Sequence, residues 1–131
     1  MHLLGFHHLA IQARDVIALG EFYRHALGLH ELARHHTSQG QLRSIWLSLP
    51  GGGFLALEKA DSEVAQEDFR STRQGRFLFA LRIAPNDRDA IVEELTGKGI
   101  QIVHRTRWTI YFRDPEGNRI GLSHHPEDPA G

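Results

Sequence analysis

The chain has no cysteine in 131 residues, so disulfides, thiolate metal ligands and thiol nucleophiles are all excluded. It also lacks a charge of dominant sign: 15 Lys plus Arg stand against 16 Asp plus Glu, for a net charge of −1. No excess positive field exists to draw in a phosphate backbone, so nucleic acid is not an expected partner. No apolar run approaches the ~20 residues that span a bilayer, so no membrane association is expected. The opening Met1-His2-Leu3-Leu4-Gly5 runs straight into a strand pattern, without the basic and apolar regions of a secretory signal. Together with the missing cysteine, this leads to the expectation of a cytoplasmic protein.

What is present is one plan written twice, about 70 residues apart along the chain. Residues 6–13 alternate as a strand. Leu19, Phe22, Tyr23, Ala26 and Leu27 then recur as a helical stripe that Asp15 can cap and Gly28 can end. Strands are expected at 29–36, 41–49 and 53–59, with Pro50-Gly51-Gly52-Gly53 read as a hairpin turn rather than a phosphate cradle. Residues 60–75 are polar and read as a connector.

The order repeats with a strand at 76–83 and a helix from Asn86, taken as its N-cap, to about Thr96, ended by Gly97 or Gly99. Strands at 100–105, 108–113 and 118–123 follow, with a tight turn at Asp114-Pro115-Glu116-Gly117. Residues 126–131 read as a frayed tail. The fold class expected is α+β, a single domain of tandem βαβββ modules (5–59 and 76–124) forming a cupped mixed sheet with helices on the outer face.

Alternate strand residues point to opposite sides, and this sorts the faces. One parity is continuously apolar and includes Ile11, Ile45, Leu47, Leu55, Leu57, Phe79, Leu81, Ile110, Phe112, Ile120 and Leu122. The other mixes small, aromatic and ionisable residues and suits the wall of a pocket: Gln12, Trp46, Phe54, Arg82, Thr109, Tyr111 and Arg119 are its candidate substrate contacts. Trp46 and Tyr111 can equally be core aromatics. The pairs His35-His36 and His124-His125 read as surface or strand-end residues. His7 and His8, as strand neighbours, should face opposite sides and so not chelate one ion.

The tandem βαβββ order, the opening His8-Leu9-Ala10-Ile11, the helix ending Phe22-Tyr23-Arg24-His25-Ala26-Leu27-Gly28-Leu29 and the stretch from Tyr111 through Asp114-Pro115-Glu116-Gly117 to Ile120 resemble the vicinal oxygen chelate superfamily over about residues 5–124. Glyoxalase I, fosfomycin-modifying transferases, extradiol dioxygenases and bleomycin-resistance proteins belong to it. The resemblance implies a homodimer and metal ligands at the start of the first strand and the end of the fourth strand of each module. His8 and Glu58 take those positions in the first module, while the second offers Leu78 and Gly121, which cannot ligate.

Three functions follow from these residues. One is metal-independent binding of a small organic molecule, with no catalytic residue assigned. Another is a divalent-metal lyase, isomerase or transferase, in which His8 and Glu58 hold nickel, zinc, manganese or iron weakly and a further ligand comes from a second chain or the substrate. The third is an interaction module without a ligand. Glu58 can alternatively be satisfied by Arg82 or Arg119 without any metal.

Overall fold

The computed structural model describes residues 1–60 and 78–130, arranged in two compact units, Met1–Ala65 and Gln66–Gly131. The connector expected at 60–75 lies, from residue 61 on, outside the described residues, as do Arg76 and Phe77 of the expected fifth strand.

The first unit runs β1 (His8–Ala13), α1 (Val16–Leu27), β2 (Glu31–His36), β3 (Leu42–Ser48) and β4 (Phe54–Lys59). Its sheet has the order β1-β4-β3-β2, with β1 parallel to β4 and the other pairs antiparallel. The Asp15 carboxylate accepts from Ala18 N at 3.0 Å and starts α1, and Gly28 ends it at φ 68°, where any Cβ would be strained. Val16, Leu19, Tyr23 and Ala26 of α1 are buried, and the helix lies on the sheet face carrying Ile45 and Leu57. Gly20 permits the approach, since a Cβ there would sit 3.4 Å from Ile45 Cδ1. The Pro50 to Gly53 hairpin turn closes with Gly52 N donating to Leu49 O, and it delivers Phe54 beside the start of β1, where Phe54 N donates to His7 O at 3.2 Å.

The second unit repeats the order: β5 (Phe79–Arg82), α2 (Arg88–Gly97), β6 (His104–Arg105), β7 (Thr109–Arg113) and β8 (Arg119–Ser123), in a sheet ordered β5-β8-β7-β6. The apolar parity is buried as expected at Ile110, Phe112, Ile120 and Leu122. Gly117 takes φ 85° in the β7–β8 turn, and Asp114 accepts from the backbone N–H of Glu116 and Asn118 there.

Three expectations are corrected. Asn86 does not cap α2: it sits in a 3-10 turn, Pro85–Asp87, and its Oδ1 accepts from Ala130 N at 2.8 Å. The last residues to Ala130 are not frayed, because His124 Nδ1 meets Glu127 O at 2.5 Å, Arg107 Nε donates to Asp128 at 3.1 Å, and Asn86 holds Ala130. The strand expected at 100–105 shrinks to two residues, although Val103 N still donates to Tyr111 O.

Candidate functional site

In the first unit the register turns period 2 into three transverse rows on the face away from α1. One row is His8, Phe54 and Ser48; the next is Ala10, Ala56, Trp46 and Ala33; the third is Gln12, Glu58, Ser44 and His35. The strand spacing of ~4.8 Å brings row members into contact range, and rows lie ~6.6 Å apart. The rings close up across the strands. His8 stacks on Phe54 at 4.9 Å with planes 8° apart, Phe54 stacks on Trp46 at 4.4 Å, and His35 leans on Trp46 at 4.4 Å and 57°. Trp46 stands within the alanine row, between Ala33 and Ala56, and Ala56 is buried.

The polar row is under-satisfied. Among the described residues Ser44, 1 % exposed, has no partner for its Oγ, and neither His35 Nε2 nor Trp46 Nε1 has one, although all three atoms are buried. Glu58 is half-buried and forms no ion pair among the described residues. Gln12 is exposed at the end of the same row. His35, expected at the surface or at a strand end, is half-buried next to the last residue of β2, and a register shift between Glu31 and Ala33 turns it onto this face. That shift is a bulge with no sequence signature. His7 and His8 also depart from expectation, since His7 precedes β1 and turns its Nδ1 to 2.8 Å from His8 Nδ1.

The second unit carries the matching rows. Arg82, Ser123 and Thr109 form one, with Thr109 Oγ1 donating to Ser123 Oγ at 2.7 Å. Ala80, Gly121, Tyr111 and His104 form the next, and Arg119 faces Arg113 in the third. Arg119 is 4 % exposed. Arg82 is exposed and borders a cleft of about 330 Å³ shared with Ile83, Ala84, Pro85, His124 and Glu127. His124, expected at the surface or at a strand end, directly follows β8 and is 3 % exposed between Arg88 and the Glu127 carbonyl. The Tyr111 ring covers Gly121: a Cβ there would lie 3.1 Å from Tyr111 Cε1 and 3.2 Å from Thr109 Cγ2.

These registers correct the correspondence between modules. Ala80 pairs with Gly121 and Tyr111 pairs with Gly121, while Ala10 pairs with Ala56 and Trp46 pairs with Ala56. Gly121 therefore answers to Ala56, and Glu58 answers to Ser123. Nor does the register bring His8 and Glu58 together: His8 pairs with Phe54 and Glu58 with Gln12 on parallel strands. The four-residue offset amounts to ~13 Å along the strands, against metal–ligand bonds of ~2 Å. Among the described residues no group of three or more His, Asp or Glu could hold a metal ion. The donor set of either unit, taken by itself, does not fit a catalytic divalent metal, which usually has three protein ligands.

A tandem βαβββ chain with a mixed four-stranded sheet in each module and ligand-type residues on the non-core face belongs to the vicinal oxygen chelate class of folds. The sequence model of the Glyoxalase/Bleomycin resistance protein/Dioxygenase superfamily matches residues 5–122, and the chain is a member of that superfamily. Among solved structures it is similar to a glyoxalase/dioxygenase from Nostoc punctiforme (27% identity over 95% of this chain and 92% of that one, TM-score 0.76). It is also similar to a glyoxylase/bleomycin resistance protein/dioxygenase domain from Frankia sp. (21%, 94% and 98%, TM-score 0.74). A third is a variant of the fosfomycin resistance protein FosX from Listeria monocytogenes, complexed with Mn(II) and a dihydroxypropylphosphonic acid (16%, 93% and 93%, TM-score 0.72). No helix of the described residues is long and apolar enough to cross a membrane.

Proposed function

We propose that this chain binds a small organic molecule on the three-row face of its first module without a protein-held divalent metal. The observation that carries this reading is the register: it sets Ala56 and Gly121 in equivalent places, each beside an aromatic ring, and separates His8 from Glu58 by four residues. A ring pile of His8, Phe54 and Trp46 offers stacking and apolar contact in place of metal coordination. Gln12, Trp46 and Phe54 are the proposed contacts in this module, and Arg82, Thr109, Tyr111 and Arg119 are the candidate contacts of the second module on its own sheet. A homodimer and a cytoplasmic location belong to the same reading.

A second reading has one specific observation in its favour, the Mn(II) held by the FosX relative of the same fold. On that reading the chain is a lyase, isomerase or transferase in which His8 or Glu58 acts with donors from a second chain or from the substrate.

Calorimetric titration of the apoprotein with manganese, nickel, zinc and iron separates the two. Metal-free binding predicts no stoichiometric site and no change in His8→Ala or Glu58→Ala. One equivalent of metal per chain that is lost in both variants would establish the second reading instead.

A further inference from the structure

We infer that the cleft at the end of the second-module sheet takes a free α-amino acid, with its carboxylate on Arg82, its ammonium on Glu127 and its side chain against Ile83, Ala84 and Pro85. This goes beyond the binding proposed for the first module and does not depend on it.

The cleft opens where two paired strands part. Arg82 and Ser123 are the last Cα partners of β5 and β8, and Ile83 N still donates to Ser123 O. Beyond them one stretch runs through Ala84 into the 3-10 turn at Pro85–Asp87, while the other folds back on itself, with Glu127 N donating to His124 O at 2.8 Å. The space between is about 330 Å³ and is lined by Arg82, Ile83, Ala84, Pro85, His124 and Glu127. Ligand pockets run from ~300 to 1,000 Å³, so this one suits a molecule of amino-acid size rather than a peptide.

Its two charged side chains are of opposite sign and neither is engaged. Arg82 and Glu127 are both exposed, and neither side chain makes a hydrogen bond or ion pair among the described residues. Their neighbours are occupied: Arg88 donates to the carbonyls of Thr106 and Arg107, and Arg107 pairs with Asp128. A guanidinium and a carboxylate that line one cleft without meeting leave room for a molecule carrying both complements. The guanidinium fork matches a carboxylate, and an ammonium supplies donors to an acidic side chain that can only accept. An anion alone would sit beside the like charge of Glu127, and a cation alone beside that of Arg82.

The frame that separates the two charges is fixed. Arg82 is held in the ladder, and both backbone groups of Glu127 are bonded to His124, the carbonyl through Nδ1 at 2.5 Å. His124 is 3 % exposed and its Nε2 faces Arg88 at 3.4 Å, so both ring nitrogens are taken and the ring serves as a wall. Ile83, Ala84 and Pro85 add no polar side chain, which leaves an apolar group as the remaining part of the ligand.

Leucine, leucinamide and N-acetylleucine test this on the intact chain at neutral pH, since the amide removes the anionic end and the acetyl group the cationic one. Each is titrated by NMR, following the backbone amide signals of Ile83, Ala84 and Glu127. Leucine should bind about fivefold more tightly than either derivative, a factor smaller than a buried charged hydrogen bond would give because both side chains are exposed. Arg82→Gln should bring leucine down to the level of leucinamide and leave leucinamide unchanged. Glu127→Gln should do the same with respect to N-acetylleucine. Either derivative binding as tightly as leucine would overturn the proposal, as would cleft signals that none of the three moves. A leucine preference that survives both substitutions would overturn it as well.

Discussion

At Gly121 a neighbouring ring decides what the strand can carry. A side chain there must displace Tyr111 Cε1 or the Thr109 methyl, which a Cβ would approach to 3.1 and 3.2 Å. We expect Gly121→Val to cost about 1–3 kcal/mol, the usual range for forcing extra atoms into a packed site. Tyr111→Ala should absorb part of that cost, and a double-mutant cycle read by urea unfolding would measure the coupling. Additive losses would show that the ring is not the obstacle.

The same site shows what was legible in the residues. That Gly121 faces away from the core follows from alternation alone. Which residue of the first module answers to it does not, because Glu58 lies near the end of its strand but pairs with Gln12 rather than with the row of Ala10. Parity fixes a face, whereas only hydrogen-bond register fixes a place along it. His35 was out of reach for a related reason: nothing in the sequence marks the β2 bulge that sets it in the row of Ser44.

At the level of elements, the punctuation of the first module was readable because it is local. Asp15 and Gly28 act within a few residues of where they stand, and Asp15→Ala should cost about 1 kcal/mol of stability, measurable by thermal or urea unfolding. A change near zero would mean that packing alone sets the start of α1. The end of the chain is the opposite case, since its polar residues find partners in Asn86 and Arg107, more than twenty positions away.

The link to Arg107 carries a pH dependence. The hydrogen bond from Arg107, followed by its charge, holds the Asp128 carboxyl below the ordinary value of 3.8. A carboxyl lowered in the folded state adds stability above its unfolded value and loses it as the pH falls through the folded one. The tail should therefore stay docked at neutral pH and loosen only in acid, below the ordinary aspartate value. Amide exchange of Glu127, Asp128 and Ala130 followed into acid would show this, with Arg107→Gln moving the onset to higher pH. A tail that loosens equally in both forms would remove Asp128 from the account.

For the whole molecule, the two modules share an order of elements but not a depth of core. In the first, α1 buries Val16, Leu19, Tyr23 and Ala26, and Ile11, Ile45, Leu47, Leu55 and Leu57 meet them fully buried. In the second, α2 buries only Leu95, and Phe79 and Leu81 of β5 stay half-exposed. The two helices differ in how many positions carry large groups that reach the core. Local opening follows the apolar contact that must be broken. In native-state hydrogen exchange of the intact chain, amides of α1, β3 and β4 should therefore be the slowest, and those of α2 should exchange well ahead of them. Leu95→Ala, which removes the one buried anchor of α2 at a cost of about 2–5 kcal/mol, should accelerate α2 most and leave α1 nearly unchanged. Equal protection of the two helices, or a Leu95→Ala effect spread evenly over both units, would mean that stability is shared across the chain. The expected asymmetry instead leaves the three-row face, the proposed binding surface, on the better-packed scaffold, where closely stacked rings can be held in place.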